Sequence, residues 1–430
     1  MLSQVHDNAA TTQSHQQAII IDGGIMEGGG QIIRYSTALS HILNKSIKVQ
    51  NIRAGRENPG LRAQHLTGVV LVSMLPKSRE FSSTLTDCRV GSTSFTFIPK
   101  DLEKKRLVLN CKSDSKEVHI DYDEDEEIKV SADCFTAGAT TLMLQSSLCP
   151  LLFMDTNGKD IRMSYRGGTN VDFSPPIDEI STLLFPLLRR HFLKIDNSKS
   201  FDLQCKYRGF YPRGNGQAEL FIEKSKYFKK GEFLHAVELV ERGDSIVKLL
   251  LEMSYTDNDG LDFLEKVEQA LKVEINKNSS FLQPFSKKLE IQVEKKKCNN
   301  NPSKARAVFG TCIMYDSKEN AFGASFHTKD MKKSQKFKVD EHITHTKSIL
   351  KHLAKQWNEG GCVDEYVQDQ LIIFMTLAKG KSKIRTGPLT LHTQTAIHFC
   401  QTIAGVQFTV TPQEGNSFII ECEGLGQSFE

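Results

Sequence analysis

Residues 362–405 read CVDEYVQDQLIIFMTLAKGKSKIRTGPLTLHTQTAIHFCQTIAG, and most of the chain's organisation can be worked out from them. The first part, 363–377, predicts an apolar helix that opens on the polar cluster Asp364, Glu365, Tyr366, Gln368, Asp369 and Gln370. Polar groups at a helix start suit the free amide donors and the positive end of the dipole. A strand is expected over 382–386, Gly387-Pro388 marks a turn, and 389–391 is β-like with His392 at its end. Thr393 suits the N-cap of a helix over 394–403, which Gly405 would end. A histidine at such a junction can face a bound group and act on phosphorus as nucleophile, or serve as acid, base or ligand. A lone histidine is more often structural, and His398 fits that plainer reading better.

The 430 residues suffice for two or three domains with a large core. With 55 Lys+Arg against 52 Asp+Glu, the net charge of +3 excludes a protein that coats nucleic acid by bulk charge. Any such binding must come from local clusters. The ten cysteines occur singly, without a C-x-x-C pair, which argues for reduced intracellular thiols and against a disulfide framework or zinc ribbon. No stretch is long and apolar enough to cross a membrane. Residues 1–17 lack an apolar segment and read as a disordered leader.

Working outward, AIIIDGGIMEGGG (18–30) is a buried strand running into a glycine-rich loop that carries Glu27, with a helix to follow. Glycines before a helix allow close approach to a phosphate, although no Walker lysine is present. RAGRENPGLRAQHL (53–66) gathers Arg53, Arg56 and Arg62 around Gly55, Pro59 and Gly60, with Gln64 and His65 opening the next helix. Arginine forks match phosphate oxygens in pairs, and a turn lets several converge. Strands are expected at 94–98 and 106–109. KSDSKEVHIDYDEDEE (112–127) has no apolar period and reads as a solvated insertion with an acidic tip. The buried-looking helix 135–153 carries one amide, Gln145, which needs a partner. A helix over 177–192 and a hairpin of 201–207 with 218–223 come next. Strand, helix, strand, strand is expected over 245–253, 261–273, 289–293 and 306–314. Lys-rich 329–338 reads as a solvated face, and His342, His345 and His352 do not form a zinc set.

Four separated motifs, EGGGQIIRYSTALS, RAGRENPGLRAQH, RGGTNVDFSPPID and DEYVQDQ with RTGPLTLHTQTAIHF, resemble the RNA 3′-terminal phosphate cyclase family over most of 18–228 and 335–425. The resemblance implies an α+β fold. A large domain over 18–236 and 332–430 would hold three repeated β-α units, each a sheet with paired helices, with a small α+β domain inserted over 237–331. It implies that His392 takes AMP from ATP and that Gln145, Pro175, Tyr366, Asp369 and Gln370 line the nucleotide site. Arg34, Arg53, Arg56, Gln64 and His65 would lie near the terminal phosphate of the RNA, and Glu27 would serve Mg2+ or Mn2+. A hard carboxylate suits either ion. The expected partner is RNA with a 3′-terminal phosphate, and the expected location is intracellular, in the nucleoplasm. The chain departs from the family at Ala63, usually proline, and at Asn215 and Gln217, where a glycine triplet usually precedes an acid. The alternatives are a non-catalytic cyclase-like protein of ribosome assembly, which would lack the nucleophile, and an enolpyruvyl-transferase-type enzyme on a related fold.

Overall fold

The computed structural model describes residues 17–76, 82–101, 108–109, 118–122, 127–276, 285–298, 304–328, 331–332, 334–338 and 340–430. The expected leader, apart from Gln17, lies outside them.

Short runs of branched residues set the first sheet. Ile19–Asp22 (β1) crosses over through Gly30–Leu43 (α1) to the parallel strand Ile47–Gln50 (β2). Ala63–Met74 (α2) then leads to the antiparallel pair Ser82–Thr86 (β3) and Phe95–Asp101 (β4), and Val108–Leu109 (β5) joins the outer edge. The order is β1-β2-β4-β3-β5. A second unit runs Val118–Tyr122 (β6), Glu127–Asp133 (β7), Thr140–Leu152 (α3), Asp160–Gly167 (β8), a helix over 177–193 (α4), Phe201–Tyr207 (β9) and Gly216–Ile222 (β10). Its order is β6-β7-β8-β10-β9.

The third unit opens with Glu238–Leu239 (β11) and is then interrupted. The interrupting elements are Ile246–Tyr255 (β12), Asn258–Asn276 (α5), Phe285–Lys297 (β13), Val308–Asp316 (β14), Ala321–His327 (β15) and Glu341–Glu359 (α6). It resumes with Val367–Leu377 (α7), Lys379–Thr386 (β16), Leu391–Ala404 (α8), Phe408–Pro412 (β17) and Phe418–Leu425 (β18), in the order β11-β16-β18-β17. All three sheets share one pairing rule: a parallel crossover (β1 with β2, β7 with β8, β11 with β16), then two antiparallel neighbours.

Each unit rests helices on its own sheet, and the helices meet through α1, which packs against α2, α3 and α8. Eleven of its fourteen residues are buried, polar Gln31, Ser36, Thr37, Ser40 and His41 among them. A helix enclosed on nearly every side belongs to a core, and each large apolar side chain buried there contributes about 1.5–3 kcal/mol. One core spans all three sheets; a second holds β12 to β15 with α5 and α6.

Several expectations need correction. Beyond the expected boundary at 331, Ile349, Leu350, Leu353, Ala354 and Trp357 of α6 form a helical stripe that faces the second core. The strand β15 was not expected; it completes the sheet order β13-β12-β14-β15. Residues 112–127 are not wholly solvated insertion, since β6 and β7 pair as neighbours with Val118 against Ala132 and Tyr122 against Ile128. Residues 389–391 are not β-like: α8 already begins at Leu391, capped by Thr390, whose hydroxyl accepts from the Thr393 amide. Likewise α7 begins at Val367, because Asp364 Oδ1 accepts from the amides of Tyr366 (3.0 Å) and Val367 (2.7 Å) and holds the preceding residues as a cap.

Asp364 also joins the two cores. Its Oδ2 accepts from the Gly323 amide of β15 at 3.1 Å, while Ser325 of the same strand donates to Glu179 of α4 at 2.9 Å. Burial pushes Glu179 up to about 8 and Asp364 to about 6, and the negative charge of Asp364 adds to the shift of Glu179. A raised carboxyl pKa means that the folded chain keeps a proton the unfolded chain gives up. The stability from Glu179 is thus present below its ordinary 4.5 and is lost as pH rises through 8. Glu179→Gln keeps an oxygen for Ser325 and removes that charge. Thermal melts should show the variant a few degrees more stable than the parent at pH 9 and indistinguishable at pH 4.5.

Candidate active site

The loop before α1 is shaped by what its glycines exclude. A Cβ on Gly29 would lie 2.0 Å from a Glu27 carboxylate oxygen, and one on Gly30 would lie 2.4 Å from His65 Nε2. Glu27 and His65 therefore reach the first turn of α1 only because these positions lack side chains.

His392 stands one residue inside α8, exposed at the helix start. Its Nδ1 lies 3.0 Å from Gln31 Oε1, and Gln31 Nε2 donates to Asp369 Oδ2 at 2.7 Å. When Asp369 is ionised it can only accept, so the Gln31 amide nitrogen then faces Asp369 and its oxygen faces His392. An amide oxygen also only accepts, so His392 Nδ1 carries the proton and Nε2 presents its lone pair to solvent. Desolvation around the ring lowers the His392 pKa, Glu27 opposes this, and Arg34 and Arg56 reinforce it. The imidazole is neutral at pH 7. Burial raises Asp369 to about 7, against the pull of Arg34. Tyr35 donates to the backbone carbonyl of Asp369 and fixes the start of α7 against α1.

Cations surround this relay. Arg34 loses basicity through burial, with Asp369 and Glu27 opposing, and among the described residues its Nε has no hydrogen-bond partner. Arg56 Nη2 binds both the Glu27 carboxylate (2.7 Å) and the Glu27 carbonyl (3.0 Å). Burial first, then Arg34, Arg53 and Arg62, push His65 down to about 3. Its Nδ1 accepts from the Arg62 amide at 3.2 Å, which leaves Nε2–H as a neutral donor beside Gly30. Arg53 turns Nη1 inward onto the carbonyls of Asn58 (2.8 Å) and Gly60 (3.2 Å), which braces its own loop. Gln64 accepts from the Ala139 amide at 2.9 Å and ties α2 to the start of α3. Ala63 is the first residue of α2, a position where the proline usual in the family would fit equally well.

The residues expected around a nucleotide form a connected set. Gln145, half-buried, donates to Gln370 Oε1 at 2.9 Å, and Gln370 donates to the Tyr366 carbonyl at 2.7 Å. The carbonyl of Pro175 accepts from Thr141 of α3 at 2.8 Å, one helical turn before Gln145. Tyr366 is 49% exposed and stacks on His352 of α6 with ring centroids 5.4 Å apart. Sequence reasoning missed Gln31, Asp364 and His352 as contributors. The available signal for Gln31 was a polar residue directly after three glycines in an otherwise apolar helix start.

Glu27 Oε2 is buried without a partner among the described residues, which suits one ligand oxygen of a hard cation. No group of three or more His, Cys, Asp or Glu that could hold a metal is found among the described residues. The remaining ligands of such an ion would be phosphate oxygens and water, the usual manner of magnesium.

The relay makes a spectroscopic prediction. Nitrogen-15 NMR should show neutral His392 protonated on Nδ1, titrating below its ordinary 6.5. Gln31→Leu should shift the ring toward the Nε2–H tautomer; an unchanged tautomer would refute the relay.

A sequence profile of the RNA 3′-terminal phosphate cyclase family matches residues 25–410. The chain is 34% identical to a "Probable RNA 3′-terminal phosphate cyclase" of Dictyostelium discoideum, over 97% of this chain and 87% of that one. It is 30% identical to an "RNA 3′-terminal phosphate cyclase" of Drosophila melanogaster, over 96% and 98%. With one of the same name from Pyrococcus abyssi the identity is 28%, over 92% and 96%. With a profile match across most of its length and such relatives end to end, the chain belongs to the RNA 3′-terminal phosphate cyclase family.

Proposed function

We propose that the chain is a catalytic cyclase that converts an RNA 3′-phosphate to a 2′,3′-cyclic phosphate at the expense of ATP. The observation that carries this reading is the bare Nε2 of His392, fixed by Gln31 and Asp369 among Arg34, Arg56 and Glu27. His392 Nε2 attacks the α-phosphorus of ATP; the P–N bond forms and the bond to pyrophosphate breaks. An oxygen of the RNA terminal phosphate then attacks the same phosphorus, the P–N bond breaks, and AMP is carried on the RNA end. The vicinal 2′-hydroxyl attacks the RNA phosphorus, gives up its proton and expels AMP. Activation is needed because a phosphate monoester has no good leaving group, whereas AMP is one.

The protein's contribution is positional and electrostatic. Tyr366, Gln145, Gln370 and the segment at Pro175 border the nucleotide. Arg34, Arg56 and the neutral donor His65 Nε2–H receive the terminal phosphate, with Gln64 and Arg53 setting the loops that carry them. A divalent ion held through Glu27 would offset the charge of two phosphates brought together. A non-catalytic role in ribosome assembly would leave the oriented histidine without a purpose. Work on RNA ends accords with the nucleoplasmic location expected above, which imaging of the tagged chain would test.

Incubation with α-labelled ATP and a divalent ion, followed by denaturing electrophoresis, tests the mechanism. His392→Ala should take up no label, whereas His398→Ala should remain labelled. The adduct should survive alkali and be lost in mild acid, as expected of a phosphoramidate. Label on His392→Ala would refute the nucleophile assignment. Gln31→Leu should slow labelling about 10- to 100-fold, the range for residues that orient a reactive histidine.

Acid should slow the same step. Protonated Asp369 no longer accepts cleanly from Gln31, so the rate of label uptake should fall as pH drops through about 7. A pH profile flat from 8 to 6 would argue against a role for the ionised carboxylate.

A further inference from the structure

A groove of about 320 Å³ opens on the second unit, at the ends of β7, β8, β9 and β10, and nothing in the mechanism above uses it. Its lining includes Phe135, Thr136, Arg166, Tyr207, Asn215 and Gln217. Phe135 is 57% exposed although apolar, and its backbone sits in the left-handed region at φ 51°, an unfavourable state for an aromatic residue. The backbone there is held firmly. The Phe135 amide donates to Asp133 Oδ1 at 2.7 Å, and the Gly138 amide donates to Thr136 Oγ1 at 3.1 Å. A pinned loop thus presents an aromatic ring to water. Tyr207, 38% exposed, ends β9 on the other side of the groove.

Arg166 shares the lining with these rings, exposed on β8 and without a hydrogen-bond or ion-pair partner for its guanidinium among the described residues. Its cross-strand partner on β10 is Gln217, a neutral amide that donates to Ser164 at 2.9 Å, and its partner on β7 is Asp133. The carboxylate in the lining, Asp133, already receives the Phe135 amide. Two aromatic faces, one exposed guanidinium whose hydrogen-bond donors are unused, and side-chain amides make a surface suited to single-stranded RNA. Bases stack on the rings, a phosphate meets the arginine, and the amides reach hydroxyls and base edges.

The loop that borders the groove touches a residue of the site. Gly138, at the end of its loop, packs on Gln64, so that an added Cβ would lie 3.0 Å from the Gln64 Cβ. His65 follows Gln64 in the chain and abuts Gly30, next to Gln31 and thence His392. We propose that this groove holds the nucleotides just upstream of the RNA 3′-terminal phosphate, with bases stacked on Phe135 and Tyr207 and an internucleotide phosphate on Arg166. The proposal rests on the cyclase reading and adds to it the path of the strand. Recognition by stacking and charge is tolerant of base identity, as suits an enzyme acting on RNA ends of varied sequence.

The test uses the full chain and fluorescent 3′-phosphorylated single-stranded RNAs, from a mononucleotide to eight nucleotides, read by anisotropy. Affinity should rise as the first few upstream nucleotides are added. Phe135→Ala and Tyr207→Ala should each cost about 5- to 50-fold with the long RNA and little with the mononucleotide, because base–aromatic stacking is lost. Arg166→Gln should weaken binding and reduce the salt dependence by about one counterion. Val273→Ala, at an exposed site on α5, is the control. In parallel, 4-thiouridine next to the terminal nucleotide should crosslink the unaltered protein at or beside Phe135 or Tyr207. Affinities equal to the parent's for all three variants, or crosslinks confined to other segments, would overturn the groove alone. A parent protein that neither binds nor cyclises 3′-phosphorylated RNA would overturn the cyclase reading and the groove together.

Discussion

A single side-chain amide, that of Gln31, joins the first unit of the chain to the third. It donates to Asp369 on α7 and accepts from His392 on α8, across 338 and 361 residues of sequence. The bond exists because α1 is enclosed by α2, α3 and α8, so polar atoms in its first turn must find partners inside the protein. An unmet buried donor or acceptor costs about 1–3 kcal/mol. Meeting that demand fixes the orientation of the amide, and the amide fixes the tautomer of the histidine. The reactive nitrogen is a consequence of how two units pack.

Around the relay the protein buries polar atoms that it leaves without hydrogen bonds. Arg34 Nε and Glu27 Oε2 are both buried without partners among the described residues, one cationic and one anionic. Glu179 carries a carboxyl displaced to about 8. Each weakens the empty fold relative to an apolar replacement. Under the function proposed above, the first two would meet a phosphate and a metal ion respectively, and a bound ligand would recover what folding gave up.

Much of this could be read in the sequence where residue type and spacing bear directly on chemistry. Glu27 after glycines, the arginine-rich turn, and the run from Asp364 to Gln370 marked the site, and branched residues marked most strands. What could not be read depends on contacts between distant segments. The start of α8 was displaced because Thr390 and Thr393 are both plausible caps, and only the Thr390–Thr393 hydrogen bond decides between them. Gln31 passed unremarked because its partners lie in the last seventy residues. Arg53 looked like its neighbours until the carbonyls of Asn58 and Gly60 claimed one end of its guanidinium. The core that α6 joins was hidden for the same reason: its apolar stripe shows that it packs, but not on which core.

The shared strand pairing of the three sheets has an architectural meaning. The histidine comes from the third unit and its amide partner from the first, so neither unit by itself holds the pair, and the three become one site only through the helices that meet at α1.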